Sequence, residues 1–350
     1  MTESAKPPQR KPVALALQGG GSHGAFAWGV LEALLDDGRF RLEGLSGTSA
    51  GGMNALAAAQ GLAHGGDAGG AEVLERFWRG VHEMTLALAP LSVDPMGKLM
   101  GDYNLRTSPL LMLQTMFKPI LDQFSPYTLN PSNANPLRDF VASFFDFDAI
   151  QASTDPKLFL AATHVETGKI KIFENADITI DSVMATSCLP TMFQAVSVDG
   201  ESYWDGGFIA NPAIYPLING CATKDIIVVQ LTKGRCPHVP KQRDHILERF
   251  SEITFNACLI REIRAIYFIT NLIDRGVIHD PSIRRINLHI IKDEVAFRDL
   301  RATSAMNTDW DFLTELRHIG KKAGRRWIHE HFDLLGTDQP FNHAFIEDYI

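Results

Sequence analysis

The serine-centred pentapeptide Gly47-Thr48-Ser49-Ala50-Gly51 starts only 28 positions after the glycine run Gly19-Gly20-Gly21-Ser22-His23-Gly24 begins. The first is a Gly-x-Ser-x-Gly pattern, the sharp strand-to-helix turn that lifts a serine hydroxyl clear of the chain. The second is a turn whose bare backbone amides can aim at a developing negative charge. A short predicted strand precedes each, the apolar run at residues 13–17 and the segment 42–45. Between them, residues 25–37 place Phe26, Val30, Ala33 and Leu34 at helical spacing, with Gly38 at the usual stop position. Residues 50–60 are small and helix-prone. Strand, helix, strand, helix predicts an α/β fold with a mostly parallel central sheet flanked by helices.

Further along, residues 61–70 (GLAHGGDAGG) read as a flexible loop. Strands are predicted at 158–163, 170–173 and 226–231, and a helix at 180–187. A hairpin joins 195–198 to 202–204 through Asp199-Gly200. Helices at 246–273 and 310–331 close the chain, the first read as a core helix from its stripe Ile246, Phe250, Ile253, Ala257, Ile260 and Ile263. The expected organisation is a disordered tail over 1–11 and a catalytic domain over 12–230. Within that domain, residues 61–155 form a helical insertion, and a helical part over 231–350 packs on the same domain. Five methionines between residues 84 and 116 suggest either a lid or acyl-chain groove, since thioethers adapt to varied chains, or ordinary core packing.

Composition narrows the function classes. A formal charge of −8 argues against a general nucleic-acid binder, which needs a basic face. No run approaches the roughly 20 uncharged apolar residues of a membrane span. The four cysteines show no pairing pattern, so reduced thiols and a cytoplasmic setting are expected, with transient membrane-surface contact compatible with it. Cys236, His238 and His245 match no zinc spacing, and no metal or cofactor is expected.

Three groups carry the chemistry. Ser49 is a nucleophile, or else only a helix N-cap. Gly19, Gly21 and Gly24 also fit Gly-x-Gly-x-x-Gly, with Glu43 placed as a ribose-binding acid would be; this is the alternative of a nucleotide-binding oxidoreductase. The serine elbow, which a dinucleotide fold does not need, favours an oxyanion hole built from Gly19 to Ser22. For the base, His318, His329, His331 and His343 fall on exposed helix faces or in the tail. Asp205, ending a strand before Gly206-Gly207, is the better candidate.

QGGGSHGAF, GTSAG and the later DGG, with ATSCLPTMF (185–193) ahead of it, occur in the order that the patatin-like phospholipase family shows. The chain resembles that family over about residues 12–230. The resemblance implies a Ser49–Asp205 dyad without histidine, oxyanion amides in Gly19–Gly24, no cofactor, and a lipid or acyl-ester substrate. It implies an acyl hydrolase, with a non-catalytic lipid-binding regulator on the same fold as a further alternative. One departure is His23, which stands where many members carry arginine or lysine.

Overall fold

The computed structural model describes residues 10–88, 94–113, 116, 123–234, 236, 238–338 and 349. Residues 1–9 of the expected tail, and His343, lie outside them. Strand β1 (Lys11–Leu17) leads into the glycine turn and helix α1 (Gly24–Asp37), which Gly38 ends in a left-handed conformation (φ 71°). Strand β2 (Phe40–Gly47) leads into the serine turn and helix α2 (Ala50–Leu88). Then come β3 (Lys157–His164), β4 (Ile170–Glu174), β5 (Val196–Val198), β6 (Glu201–Asp205), β7 (Asp225–Val229) and β8 (Asn287–Ile291).

These strands form one sheet in the order β5-β6-β3-β2-β1-β7-β8, with β4 paired to β3 off that path. The β3–β2–β1–β7–β8 pairings are all parallel, and β4, β5 and β6 join by antiparallel pairings. The fold is therefore α/β, a mostly parallel sheet flanked by helices. β1 is buried from Val13 to Leu17 and β7 along its whole length, as strands covered on both faces must be. Helix α1 is buried on nearly every side, because the closing helix Trp310–His331 packs on it with Gly29 and Gly320 at the crossing. Across that interface Glu32 accepts from Arg317 at 2.6 and 2.7 Å and from Lys321 at 2.7 Å.

Three expectations need correction. The loop expected at 61–70 shrinks to a turn: two helical stretches of α2 meet across a break at Gly65 and Gly66, both non-helical, with Gly66 at φ 61°. Gly65 and Gly66 stand in open space, whereas Gly61 serves packing, since a Cβ there would collide with the backbone of Gly69. The part after residue 230 is not purely helical, because it supplies β8. The core helix is real (Arg243–Asp274) and buries Leu259, Ile263 and Ile266, yet Ile246, Phe250 and Ile253 in its first half are exposed. The methionines at 96, 100, 112 and 116 are likewise exposed.

Candidate active site

Register sets the site. Leu17 pairs with Gly47, so the glycine turn and the serine turn leave neighbouring strand ends side by side. On the next pair, Gly47 lies beside Leu160, and two residues on Ala162 pairs with Asp205. Three motifs spread over nearly 190 positions thus meet at the carboxyl ends of β1, β2 and β6.

Ser49 has φ 54°, a left-handed conformation rare for a residue with a Cβ, and this strain is what an elbow requires. Its N–H donates to the carbonyl and to Oγ1 of Thr186, both at 3.1 Å, while Thr186 Oγ1 donates to Ala161 at 2.6 Å. The flanking glycines are steric necessities: a Cβ on Gly47 would meet the Gly51 backbone, and one on Gly51 the Leu17 and Gln18 carbonyls. Ala50 begins α2 immediately, which puts the Ser49 hydroxyl at a helix N-terminus.

Asp205 is 3% exposed, and its carboxylate accepts from the Gly207 amide at 2.7 Å. Burial pushes its pKa up to about 7, against the opposing pull of the Gly207 amide and the nearby Ser49 hydroxyl. Its backbone is held at both ends, the N–H on Cys188 at 2.8 Å and the carbonyl on Thr163 Oγ1 at 2.8 Å. Gly206 allows the strand to pass against the Ala161 carbonyl, where a Cβ has no room.

The segment that follows Asp205 is stapled over the strand ends. Ser46 Oγ donates to Ala213 at 2.6 Å and Thr48 Oγ1 to Ala210 at 2.7 Å. Buried Asn211 accepts the Gly19 N–H at 2.7 Å on its side-chain oxygen. This narrows the expected oxyanion hole, since the Gly19 amide is already committed. Among the described residues, the amides of Gly20, Gly21 and Ser22 have no acceptor in the chain. Gly21 holds φ 57°, and Gly24 starts α1 against the Ala50 side chain. Buried Gln18 fixes the base of the turn: its amide donates to the Asn211 carbonyl at 3.0 Å, and its oxygen accepts from Leu231 at 2.7 Å.

Asn211 is a positioning residue that no sequence motif marks, its partner lying 192 positions away. Gln18 and Thr186 fall inside the quoted motifs QGGGSHGAF and ATSCLPTMF, but their roles depend on partners 213 and 137 positions away. His23 is no phosphate-holding cation. Its Nε2 sits 2.7 Å from Ser304 Oγ, its ring packs edge-on against Phe297, and burial with nearby Lys233 lowers its pKa to about 4. Glu43 is buried at the far side of β2, where it accepts from the Ala222 and Thr223 amides, so it is engaged and faces no ribose site. His318 and His329 are exposed on the closing helix, and His331 stacks on Trp327. Cys236 turns its thiol to the His238 carbonyl at 3.0 Å. Among the described residues His164, Glu166 and Glu201 form a compact polar group, with His164 Nε2 already 2.6 Å from Glu201.

The model of the patatin-like phospholipase family matches residues 15–218, a span that runs from β1 past the Asp205 turn and takes in more than half of the chain. The chain belongs to the patatin-like phospholipase family. This patatin-like protein is also similar to the solved structure of VipD from Legionella pneumophila, at 15% identity and a TM-score of 0.35. That alignment covers 91% of this chain and 72% of VipD. No curated protein sequence matches it.

Proposed function

We propose that this patatin-like protein is a serine lipid acyl hydrolase acting through Ser49 and Asp205. The observation that carries the reading is the meeting, at neighbouring strand ends, of a serine strained to φ 54° with a buried carboxylate whose pKa is pushed up to about 7. A carboxylate of ordinary pKa near 4 is a weak base at neutral pH, and burial removes that handicap. Asp205 takes the hydroxyl proton as Ser49 Oγ adds to the ester carbonyl, and the Gly20 and Gly21 amides hold the oxyanion. Two helix N-termini, of α1 and α2, add their positive ends to the same spot. The tetrahedral intermediate collapses with the proton passing from Asp205 to the leaving alcohol, which leaves an acyl-Ser49 ester. Water then attacks that ester with Asp205 again as base, and the acid departs as Ser49 regains its proton.

Lipid as the substrate is supported by family membership and by the exposed apolar side chains of the 96–116 segment and of the Arg243–Asp274 helix. Among the described residues no helix is long and apolar enough to cross a membrane, so contact with a lipid surface is peripheral in this reading, in a cytoplasmic setting. A fluorophosphonate probe is expected to label the wild-type protein covalently and to leave Ser49→Ala unlabelled. The labelling rate should fall about tenfold per pH unit below 7, since only ionised Asp205 activates the serine. Equal labelling of both proteins, or a flat rate between pH 5 and 8, would refute the assignment.

A further inference from the structure

The Arg243–Asp274 helix turns one face inward. Phe255, Asn256, Leu259, Glu262, Ile263 and Ile266 share it at helical spacing. Leu259, Ile263 and Ile266 are buried, as core residues are, but Asn256 is buried with them at 5% exposure and Glu262 stands on the same side. An amide and a carboxylate on an inward face destabilise the fold unless each has a partner.

Both have partners, on the two segments that frame the glycine turn. Glu262 Oε2 accepts the Ile214 N–H at 2.8 Å and the Tyr215 N–H at 2.9 Å, where the short helix Tyr215–Gly220 begins. That point lies three residues after Asn211, whose side-chain oxygen holds the Gly19 amide. Burial raises the Glu262 pKa to about 7 although both amides pull it down, so the group has given up water for this contact. Asn256 Nδ2 donates to the Lys233 carbonyl at 2.8 Å, and its Oδ1 accepts from the Thr232 hydroxyl.

These bonds close a ring. Leu231 and Thr232 place their amides on the Gln18 side-chain oxygen at 2.7 and 3.1 Å, and Gln18 donates in turn to the Asn211 carbonyl. Leu231 also packs on Gly20, where a Cβ would stand 3.4 Å from its side chain. From Glu262 the path therefore runs through the 211–215 segment, Gln18 and the 231–233 segment to Asn256, six positions away on the same helix. Phe255 adds a contact with the turn after Asp205. Its ring lies 5.7 Å from that of Phe208, and a Cβ on Gly207 would meet it at 2.5 Å.

The ring encloses what an oxyanion hole needs fixed. Gly20, Gly21 and Ser22 follow directly on the two residues it clamps, and donors stabilise a transition state only if they need no reorientation. The helix lies wholly past residue 218, where the family match ends, so no glycine or serine motif of the family contains it.

We propose that Glu262 and Asn256 are positioning residues that brace the oxyanion turn from the Arg243–Asp274 helix, with Asn211 as the link from Glu262. The effect on rate rests on the hydrolase reading; the bracing does not.

Glu262→Leu removes the acceptor and leaves the apolar neighbours in place. Its kcat on p-nitrophenyl butyrate is expected to fall at least about tenfold with KM within about twofold, the split left by a weakened transition-state contact. Glu262→Gln keeps an oxygen for the two amides and should recover most of the loss. In an Asn211→Ala background Glu262→Leu should cost little more, because its link to the turn is already cut. Hydrogen exchange, read by mass spectrometry on the peptide covering residues 18–24, follows the turn without turnover. The Gly19 amide should lose protection in Glu262→Leu. Asn256→Leu runs the same kinetic and exchange tests from the other end of the ring, and decides them if Glu262→Leu fails to fold. A variant that keeps its circular dichroism with unchanged kcat or unchanged exchange overturns the proposal, as does a full loss repeated on top of Asn211→Ala. Wild-type protein that cleaves no ester refutes the hydrolase reading, and the exchange measurement then decides the brace alone.

Discussion

Replacing Asp205 by Asn is expected to lower kcat/KM for ester hydrolysis on the order of 10³-fold, the usual worth of a general base, and yet to make the folded protein more stable at pH 8. The sign follows from linkage. Burial raises the folded-state pKa of Asp205 from 3.8 to about 7, so between those values the folded chain holds a proton that the unfolded chain releases. Its contribution to stability is fully present below pH 3.8 and is lost as the pH rises through 7. Three units at about 1.4 kcal/mol each give a gain on the order of 4 kcal/mol for the asparagine protein above pH 7, fading toward pH 4. Glu262, buried where it accepts from the Ile214 and Tyr215 amides and also raised to about 7, follows the same pH course. It is common to both proteins and cancels in the comparison. Urea unfolding at pH 4, 6 and 8 measures the difference directly. Equal midpoints at pH 8 would mean that Asp205 is not a desolvated carboxylate, and the proposed base would fall with it. Ser49→Ala should be as inactive but without the gain, because it removes the hydroxyl that lowers the Asp205 pKa.

Gly21→Ala is expected to reduce kcat on the order of 10²–10³-fold with KM little changed, the signature of a lost transition-state donor. Gly21 combines φ 57° with a position where any Cβ runs into the Ala305 carbonyl oxygen. A side chain there strains the backbone and pushes the turn off the Arg301–Met306 segment, turning the Gly20 and Gly21 amides from the serine. Gly38→Ala is the control, since Gly38 has φ 71° but open space around it and lies at the opposite end of α1. Steady-state kinetics on a small chromogenic ester separate the two terms. If Gly21→Ala keeps its kcat, this turn does not hold the oxyanion.

The sequence made the first half of the sheet legible because each element carries its own local signature. β1 and β7 are apolar and cut off by polar or glycine neighbours, α1 has period and stop signal, and Asp199-Gly200 takes the two positive φ values of a tight hairpin, 53° and 83°. β8 was not visible: Asn287-Leu288-His289-Ile290-Ile291 is short, mixed in polarity and flanked by Arg285 and Lys292. The glycines of 61–70 carry two meanings with one letter: Gly65 and Gly66 mark a turn, while Gly61 and Gly69 mark a close helix contact. At the site, the serine, the aspartate and the two turns could be found from their glycine neighbours. Asn211 could not, nor could the role of Gln18 at the head of the glycine run, because what an amide does to a backbone group nearly two hundred residues away leaves no trace in its own neighbourhood.

The family match ends at residue 218, but the sheet does not. β7 lies beyond that limit, with every residue from Asp225 to Val229 buried, and β8 covers its outer side through residues Asn287–Ile291. A recombinant fragment trimmed shortly after β7 would leave an apolar ladder of unpaired amides and carbonyls open to the next molecule. Edge-to-edge growth into insoluble material is the outcome that such a ladder invites. Expression boundaries for this protein are therefore set by a five-residue strip at the margin of the sheet, which has no part in the chemistry.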